Sequence, residues 1–322
     1  MHMADALISL EVGGLFWLVS GGALTHSARV ARRQSDAWRV PLTGVLGAFI
    51  FALQMINFAI PGTGSSGHLG GALLLAILLG PHAAFLTISS VLVVQALFFA
   101  DGGLLALGCN IFNIGIIPIF LAYPLIYRPL ARRGGQRAAI LLAACGGLLL
   151  GALAVALETR LSAISALPFR AFLLALLPVH LVIGLAEGLA TVGVLGFLRK
   201  ARPEIFAAAA EDRSDRRAVA LIGGLALVAA GGLSWAASRN PDGLEWAVAR
   251  VAGRELAATE PAQRRAEALQ RGTALLPNYG FREAGPQPSR AGTSLAGILG
   301  GLATLALIAA TALALRGRRR AA

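Results

Sequence analysis

Charge is scarce in this chain: Asp, Glu, Lys and Arg make up 14% of 322 residues, where soluble proteins carry about 25%. That deficit, with a hydrophobic fraction of 57%, excludes an ordinary water-soluble domain. Lysine is nearly missing, since the 28 basic residues are Lys200 and otherwise arginine. Ala201 follows that lysine, so no G-x-x-x-x-G-K-[ST] loop for binding ATP exists. No H-E-x-x-H and no Cys/His cluster at metalloprotease or haem spacing occurs, which removes those enzyme classes. The two cysteines, Cys109 and Cys145, both stand in apolar runs and read as small buried residues, not a disulfide. No repeat of period 20–50 is visible. Residues 1–24 lack a basic n-region and a small-residue cleavage site, so a signal peptide is a poor reading. A bulky His2 should also block removal of the initiator Met. The amine of Met1 is therefore expected in the mature protein.

What is present is a series of apolar runs, each near the length that crosses a hydrocarbon core of about 30 Å. They fall near 7–27, 40–60, 69–80, 83–100, 104–127, 138–157, 169–198, 218–237 and 292–315. Lipid leaves unpaired backbone groups unsatisfied, so an all-α integral membrane protein is expected. The prediction is a polytopic helical bundle of about nine transmembrane segments, seven plus two. The 69–80 run is short and could instead form half of a re-entrant hairpin with 83–100, broken at Gly80-Pro81-His82.

The arginines mark sidedness. Eighteen of the 28 basic residues sit in four sets, at 29–39, 128–137, 199–217 and 316–320. Eight of the other ten lie in one long stretch, 238–291, and long translocated loops are weakly governed by charge. The N-terminus is thus expected outside and the C-terminus in the cytoplasm. Composition shifts once, giving a membrane domain over 1–199, a polar linker over 200–217 and a second unit over 218–322. That unit has two membrane helices around an external loop, 238–291. The loop carries a weak helical stretch near 261–272 and turn formers at its end, and reads as partly ordered.

Metal chelation is the chemistry that best fits the chain's polar residues. The amine of Met1, the main-chain nitrogen of His2 and the His2 ring can close fused five- and six-membered rings on one ion. Such a plane suits Cu(II) and Ni(II), and Co(II) more weakly. His68 could fill the fourth corner from the Gly/Ser-rich turn Gly62-Thr63-Gly64-Ser65-Ser66-Gly67, whose glycines permit positive φ and close approach to a ligand. The plain alternative, a histidine beside an ordinary turn near the membrane surface, stays open. The same turn matches G-x-G-x-x-G, but it follows an apolar span and opens no βαβ unit, so a dinucleotide site is a poor reading.

Polar groups inside spans usually face the bundle interior and bond neighbouring helices. Gln54 and Asn57 share one helix face, as do Asn110 and Asn113, while Gln95 is alone. Asn57, Ser65, Ser66 and Asn110 are candidates for orienting the metal-binding imidazoles. His180 and Glu187 lie on one face beside Gly184 and Gly188. His26 and His82 read as structural. Glu187 is the only acid well inside an expected span, and no carboxylate accompanies His68 in the sequence. A metalloenzyme that activates water needs an open coordination position and a base, which four nitrogens in a plane do not offer.

Three ordered motifs carry a family resemblance: Met1-His2-Met3-Ala4-Asp5-Ala6; 46–71 with Gln54-Met55-Ile56-Asn57 and Gly64-Ser65-Ser66-Gly67-His68; and Ala100-Asp101-Gly102-Gly103 through Asn110. Together they resemble the CbiM/NikM family, the substrate-binding membrane components of energy-coupling-factor (ECF) nickel and cobalt transporters. His180 to Gly188 is similar to the family's last core helix. Residues 218–322, with Pro241-Asp242-Gly243-Leu244-Glu245 after a first helix, resemble the CbiN/NikN partner with its PDGLE sequence, as in NikMN-type fusions.

The resemblance implies a transport component, not an enzyme, in the plasma membrane of a prokaryote. Met1, His2 and His68 would be the metal ligands. Ni2+ or Co2+ would be the transported substrate, nickel by the square-planar preference, and no organic cofactor is implied. The alternatives are cobalt uptake feeding cobalamin biosynthesis, an intramembrane metalloenzyme, or a scaffold subunit. Implied partners are a membrane T component (CbiQ/NikQ-like) and cytoplasmic ATPases (CbiO/NikO-like), with no nucleic acid. The chain departs from many relatives at Met3-Ala4-Asp5-Ala6, which bears on how the N-terminal segment fits its pocket.

Overall fold

The computed structural model describes residues 2–34, 39–203, 216–254, 256–282 and 289–317. The Met1 amine, linker residues 204–215, the turn formers Gly285-Pro286 and the arginines at 318–320 lie outside them.

Among the described residues, eleven helices carry the fold, as a chain without water to satisfy its backbone requires. The first four are α1 (Leu10–Gln34), α2 (Arg39–Gln54), α3 (Ala72–Leu79) and α4 (Pro81–Phe99). The next three are α5 (Leu107–Arg132), α6 (Gln136–Ser162) and α7 (Phe169–Ala201). Then come α8 (Arg216–Gly231), α9 (Gly243–Ala252), α10 (Pro261–Thr273) and α11 (Arg290–Gly317). Among the described residues, six helices are long and apolar enough to cross a membrane: α4 to α7, α8 with its short extension to Ala236, and α11. The protein is a multi-pass membrane protein.

The other three expected segments correspond to α1, α2 and α3. At eight residues, α3 is about 12 Å long, well short of a bilayer core of about 30 Å. It packs against α4 as the short arm of a helical hairpin, turned at Gly80 with φ of 77°. In the middle of α5, residues Phe112–Tyr127 wind in a π register that holds Pro118 and Pro124. Proline has no N–H for an i−4 carbonyl, and the wider winding is a common device where a helix serves a site.

The helices α5, α6 and α7 pack in sequence, while α8 and α11 lie against α2 and each other, and α11 also against α4. The two sequence units therefore share one apolar core. Between α2 and α3 the chain forms a small antiparallel hairpin, β1 (Phe58–Ile60) with β2 (Ser65–Gly67). Gly62 and Gly64 supply the positive φ its turn needs. The 238–291 stretch is more ordered than its composition suggests. The Asp242 carboxylate accepts from the N–H groups of Leu244 and Glu245, while Glu245 reaches back to the Asp242 N–H. This is a capping box, and it starts α9; α10 occupies the expected helical stretch.

Candidate metal centre

The N-terminal strand is the first wall of the site. Met3 is fully buried, and Asn110 on α5 grips its backbone from both sides. The Met3 N–H donates to Asn110 Oδ1 at 2.7 Å, and Asn110 Nδ2 donates to the Met3 carbonyl at 3.2 Å. The Gly103 N–H adds a bond to the same carbonyl at 2.8 Å. Asp5 accepts from the Ala106 N–H at 2.9 Å. Gly102 has φ of 81°, and a Cβ there would stand 2.8 Å from Asn110 Nδ2 and 3.2 Å from His2 Cβ. Only glycine leaves the strand that room.

The second wall is the glycine-rich connection before α3. Its backbone runs among helices without helical hydrogen bonds, so each polar group needs another partner. Glu187 on α7 supplies two acceptors, at 2.9 Å to the Gly70 N–H and 3.1 Å to the Gly71 N–H. Gln54 Nε2 donates to the Gly70 carbonyl at 2.7 Å. Gln95, read from the sequence as alone, donates to Gln54 Oε1 at 2.7 Å. It appeared alone because its partner lies on a different helix. Glu187, with its two glycine donors, is thus a staple for the loop that presents His68.

Between these walls the His2 and His68 rings stack, with centroids 5.0 Å apart and planes 13° from parallel. His2 Nδ1 meets Asp101 Oδ1 at 3.1 Å, and Tyr279 from the second unit donates its hydroxyl to Asp101 Oδ2. The His2 Nε2 atom is buried without a hydrogen-bond partner. His68 Nδ1 faces the Leu69 carbonyl at 3.3 Å. Burial pushes the His68 imidazole down to about 3, helped by nearby positive charge, so the ring is neutral as a metal ligand must be. Burial alone would raise the Asp101 carboxyl. The His2 ring and hydrogen bonds from His2 and Tyr279 outweigh that, and hold it below the usual carboxylate range.

The remaining orienting candidates lie in or beside the hairpin. The Ser66 hydroxyl donates to the Asn240 carbonyl at 2.8 Å, and Ser65 shares a 2.7 Å hydrogen bond with Thr63. The Asn57 carbonyl accepts from the Ser238 N–H at 2.7 Å. All three positions join the hairpin to the 238–242 segment, where Ser66 and Asp242 form a parallel bridge. Of the four candidates, Asn110 alone bonds the N-terminal strand.

Two sequence readings need correction. A carboxylate does accompany the histidines: Asp101 pairs with His2, and Asp242 lines a cavity with His68. Both come from loops distant in sequence, which is why local reading missed them. Glu187 is also not the only acid inside a span. Helix α6 runs to Ser162, past the expected end at 157, and so buries Glu158 against Asn113 Nδ2 at 2.7 Å.

Among the described residues, no three His, Cys, Asp or Glu side chains converge closely enough to cage an ion by themselves. His26 and His82, at the far end of the bundle, meet edge to face at 5.5 Å with His82 Nδ1 3.2 Å from the Ser27 hydroxyl.

Comparison with known proteins agrees with both halves of the chain. A family model described as cobalt uptake substrate-specific transmembrane region, CbiM, matches residues 2–205. A PDGLE domain matches residues 216–317. The putative fused nickel transport protein NikMN of Archaeoglobus fulgidus is 37% identical over 205 residues, covering 64% of this chain and 68% of that protein. The fused nickel transport protein NikMN of Rhodobacter capsulatus is 31% identical over 242 residues, covering 70% and 69%. The cobalt transport protein CbiM of Sorangium cellulosum is 33% identical, covering 64% of this chain and 94% of its own. A crystal structure of a truncated transition metal transporter matches with a TM-score of 0.57 at 30% identity, covering 62% of this chain and 99% of that one. The chain belongs to the CbiM family of metal-transport membrane components, with a PDGLE domain in the same polypeptide.

Proposed function

We propose that this chain is the ion-capturing component of an ECF-type importer for divalent nickel, with cobalt as the alternative cargo. The amine of Met1, the amide and ring of His2, and the His68 ring hold the ion in one plane of nitrogens. The carrying observation is the partly buried His2–His68 stack, 5.0 Å between centroids, on an N-terminal segment pinned by Asn110. Two imidazoles facing one another beside an N-terminus suit a borderline-soft ion that prefers nitrogen.

A six-membered ring through the His2 amide uses Nδ1, the atom that faces Asp101 at 3.1 Å. A half-turn of the flat ring about Cβ–Cγ carries Nδ1 to the opposite edge. Asp101 therefore acts as a placeholder that holds the ring until the ion takes it. The PDGLE loop roofs the pocket through Asp242 and Tyr279, and it admits the ion by lifting from the hairpin. The pocket faces outward, and a membrane T component and two ATPases supply the energy that this chain has no P-loop to harness.

The test uses the full chain with its native N-terminus, titrated with Ni(II) and Co(II). A chain extended at its N-terminus or acetylated there should lose tight binding of both ions. Retained capture after either change would defeat the proposed coordination. Deleting 240–290 and finding unchanged uptake would remove the loop from the mechanism.

A further inference from the structure

His68 also lines a narrow cavity of about 20 Å³ within the bundle, the scale of one water molecule or one small ion. Its walls include Ala72 of α3, Asn113 and Pro118 of α5, Gly147 of α6, and His180 and Glu187 of α7. The capture reading uses neither His180 nor Asn113.

His180 is fully buried. Its Nδ1–H donates to the Leu176 carbonyl one turn earlier, at 2.8 Å, so the lone pair belongs to Nε2. That is how a metal-binding imidazole is commonly oriented, by a carbonyl on its other nitrogen. Nε2 itself has no hydrogen-bond partner.

Asn113 shows the same pattern. Its Nδ2 is committed to Glu158 at 2.7 Å and lies 3.7 Å from Met3 Sδ, while its Oδ1 is buried and unpartnered. One small cavity is thus lined by two residues that each keep a buried, unsatisfied lone pair, one nitrogen and one oxygen. Buried polar groups are nearly always paired, so these two call for an occupant that is a donor or a cation. The roof is the PDGLE turn, where a Cβ on Gly243 would stand 3.4 Å from His180 Cε1 and 2.6 Å from Val179 Cγ1. The floor lies against the π-wound part of α5 at Pro118.

We propose that this cavity is a second position for the transported divalent ion, with His180 Nε2 and Asn113 Oδ1 as its ligands, entered when the ion leaves His2 and His68. The inference rests on the capture reading and extends it inward. A square plane of four nitrogens leaves both axial faces open. An imidazole offered from below can therefore attach before any nitrogen of the plane lets go, and the ion moves by ligand exchange without being stripped. Imidazole with amide oxygen suits Ni(II) and Co(II), and such a small neutral ligand set holds the ion weakly enough to release it.

The experiment separates capture from passage. The full chain with its native N-terminus is titrated with Ni(II) and Co(II), and the assembled transporter is assayed for uptake in vesicles. His180→Asn keeps a donor at the Nδ1 position and deletes Nε2, whereas His180→Gln carries an amide to the Nε2 position. Both should lower uptake by at least about tenfold, the scale seen when a metal-orienting group is lost. In His2→Ala chains, a weak Co(II) site with nitrogen ligation should remain in the absorption spectrum and disappear on adding His180→Asn. The His2→Ala titration leaves His180 intact, so it stands even if a His180 variant fails to fold. Wild-type uptake in His180→Gln alone would mean that the cavity holds a water molecule, overturning the proposal. Wild-type uptake in His180→Asn, or no residual Co(II) site in His2→Ala, would also overturn it. Failure of the capture reading looks different: the unmodified chain would bind neither ion.

Discussion

Two histidine pairs stand at opposite ends of the same bundle. His2 and His68 meet nearly parallel at 5.0 Å, and His26 and His82 meet edge to face at 5.5 Å. Ring separation hardly distinguishes them. The surroundings do. The first pair sits between a strand gripped by Asn110 and a glycine loop stapled by Glu187, with a carboxylate on His2. The second pair bonds a serine hydroxyl and leans on Phe120. Proximity of imidazoles therefore does not distinguish the two pairs; the fixed backbone and the carboxylate around the first pair do.

The sharpest way to break the comparison is to remove one ring from each pair. Structural metal sites bind with about 10–16 kcal/mol shared over four ligands, so one ligand is worth about 3 kcal/mol, or about a hundredfold in Kd. His68→Ala should weaken Ni(II) capture by that factor or more in a direct titration. His82→Ala should leave capture unchanged. Equal losses from the two would erase the distinction. Next in size is Asn110→Ala, which removes both side-chain bonds to the Met3 backbone. Orienting groups of this kind typically cost about 10–100-fold in metal affinity, and hydrogen exchange at residues 3–8 should rise with it. Affinity lost without faster exchange would mean that Asn110 acts through something other than the strand.

Much of this contrast is legible in the sequence, and the rest is hidden for definite reasons. His2, His68 and the glycines between 62 and 71 stand out because each is unusual where it occurs. Asn110 stands out because an amide in an apolar run must face a partner. Asp101, Tyr279 and Glu158 do not, since each gains its role from a contact across more than 40 residues of chain. Gln95 looked unpaired because helix periodicity orders residues within a helix and says nothing of the helix opposite. The missed α9 is a different failure. Asp242-Gly243-Leu244-Glu245 has the D-x-x-E spacing of a capping box, so the PDGLE sequence announces a helix start that could have been read.

That box allows the smallest and most selective change. The Asp242 side chain has two roles: it caps α9 through Leu244 and Glu245, and it lines the cavity beside His68. Burial would raise its carboxyl, but positive charge nearby and the Glu245 N–H hold it below the usual carboxylate range, so it is ionised at neutral pH. Asn is as good an N-cap as Asp, so Asp242→Asn should keep α9 while deleting the charge. Asp242→Ala loses both, at about 1 kcal/mol for the cap. A unit charge near the cation is worth at least about 1 kcal/mol, the figure for two unit charges about 4 Å apart in a water-like dielectric of about 80, roughly fivefold in affinity. Asp242→Asn should thus weaken Ni(II) capture about fivefold with α9 exchange unchanged, and Asp242→Ala should lose both. If the Asn variant captures metal like the parent while the Ala variant does not, the PDGLE aspartate serves the site only by folding its helix, and the electrostatic difference between the two ends rests on Asp101 alone.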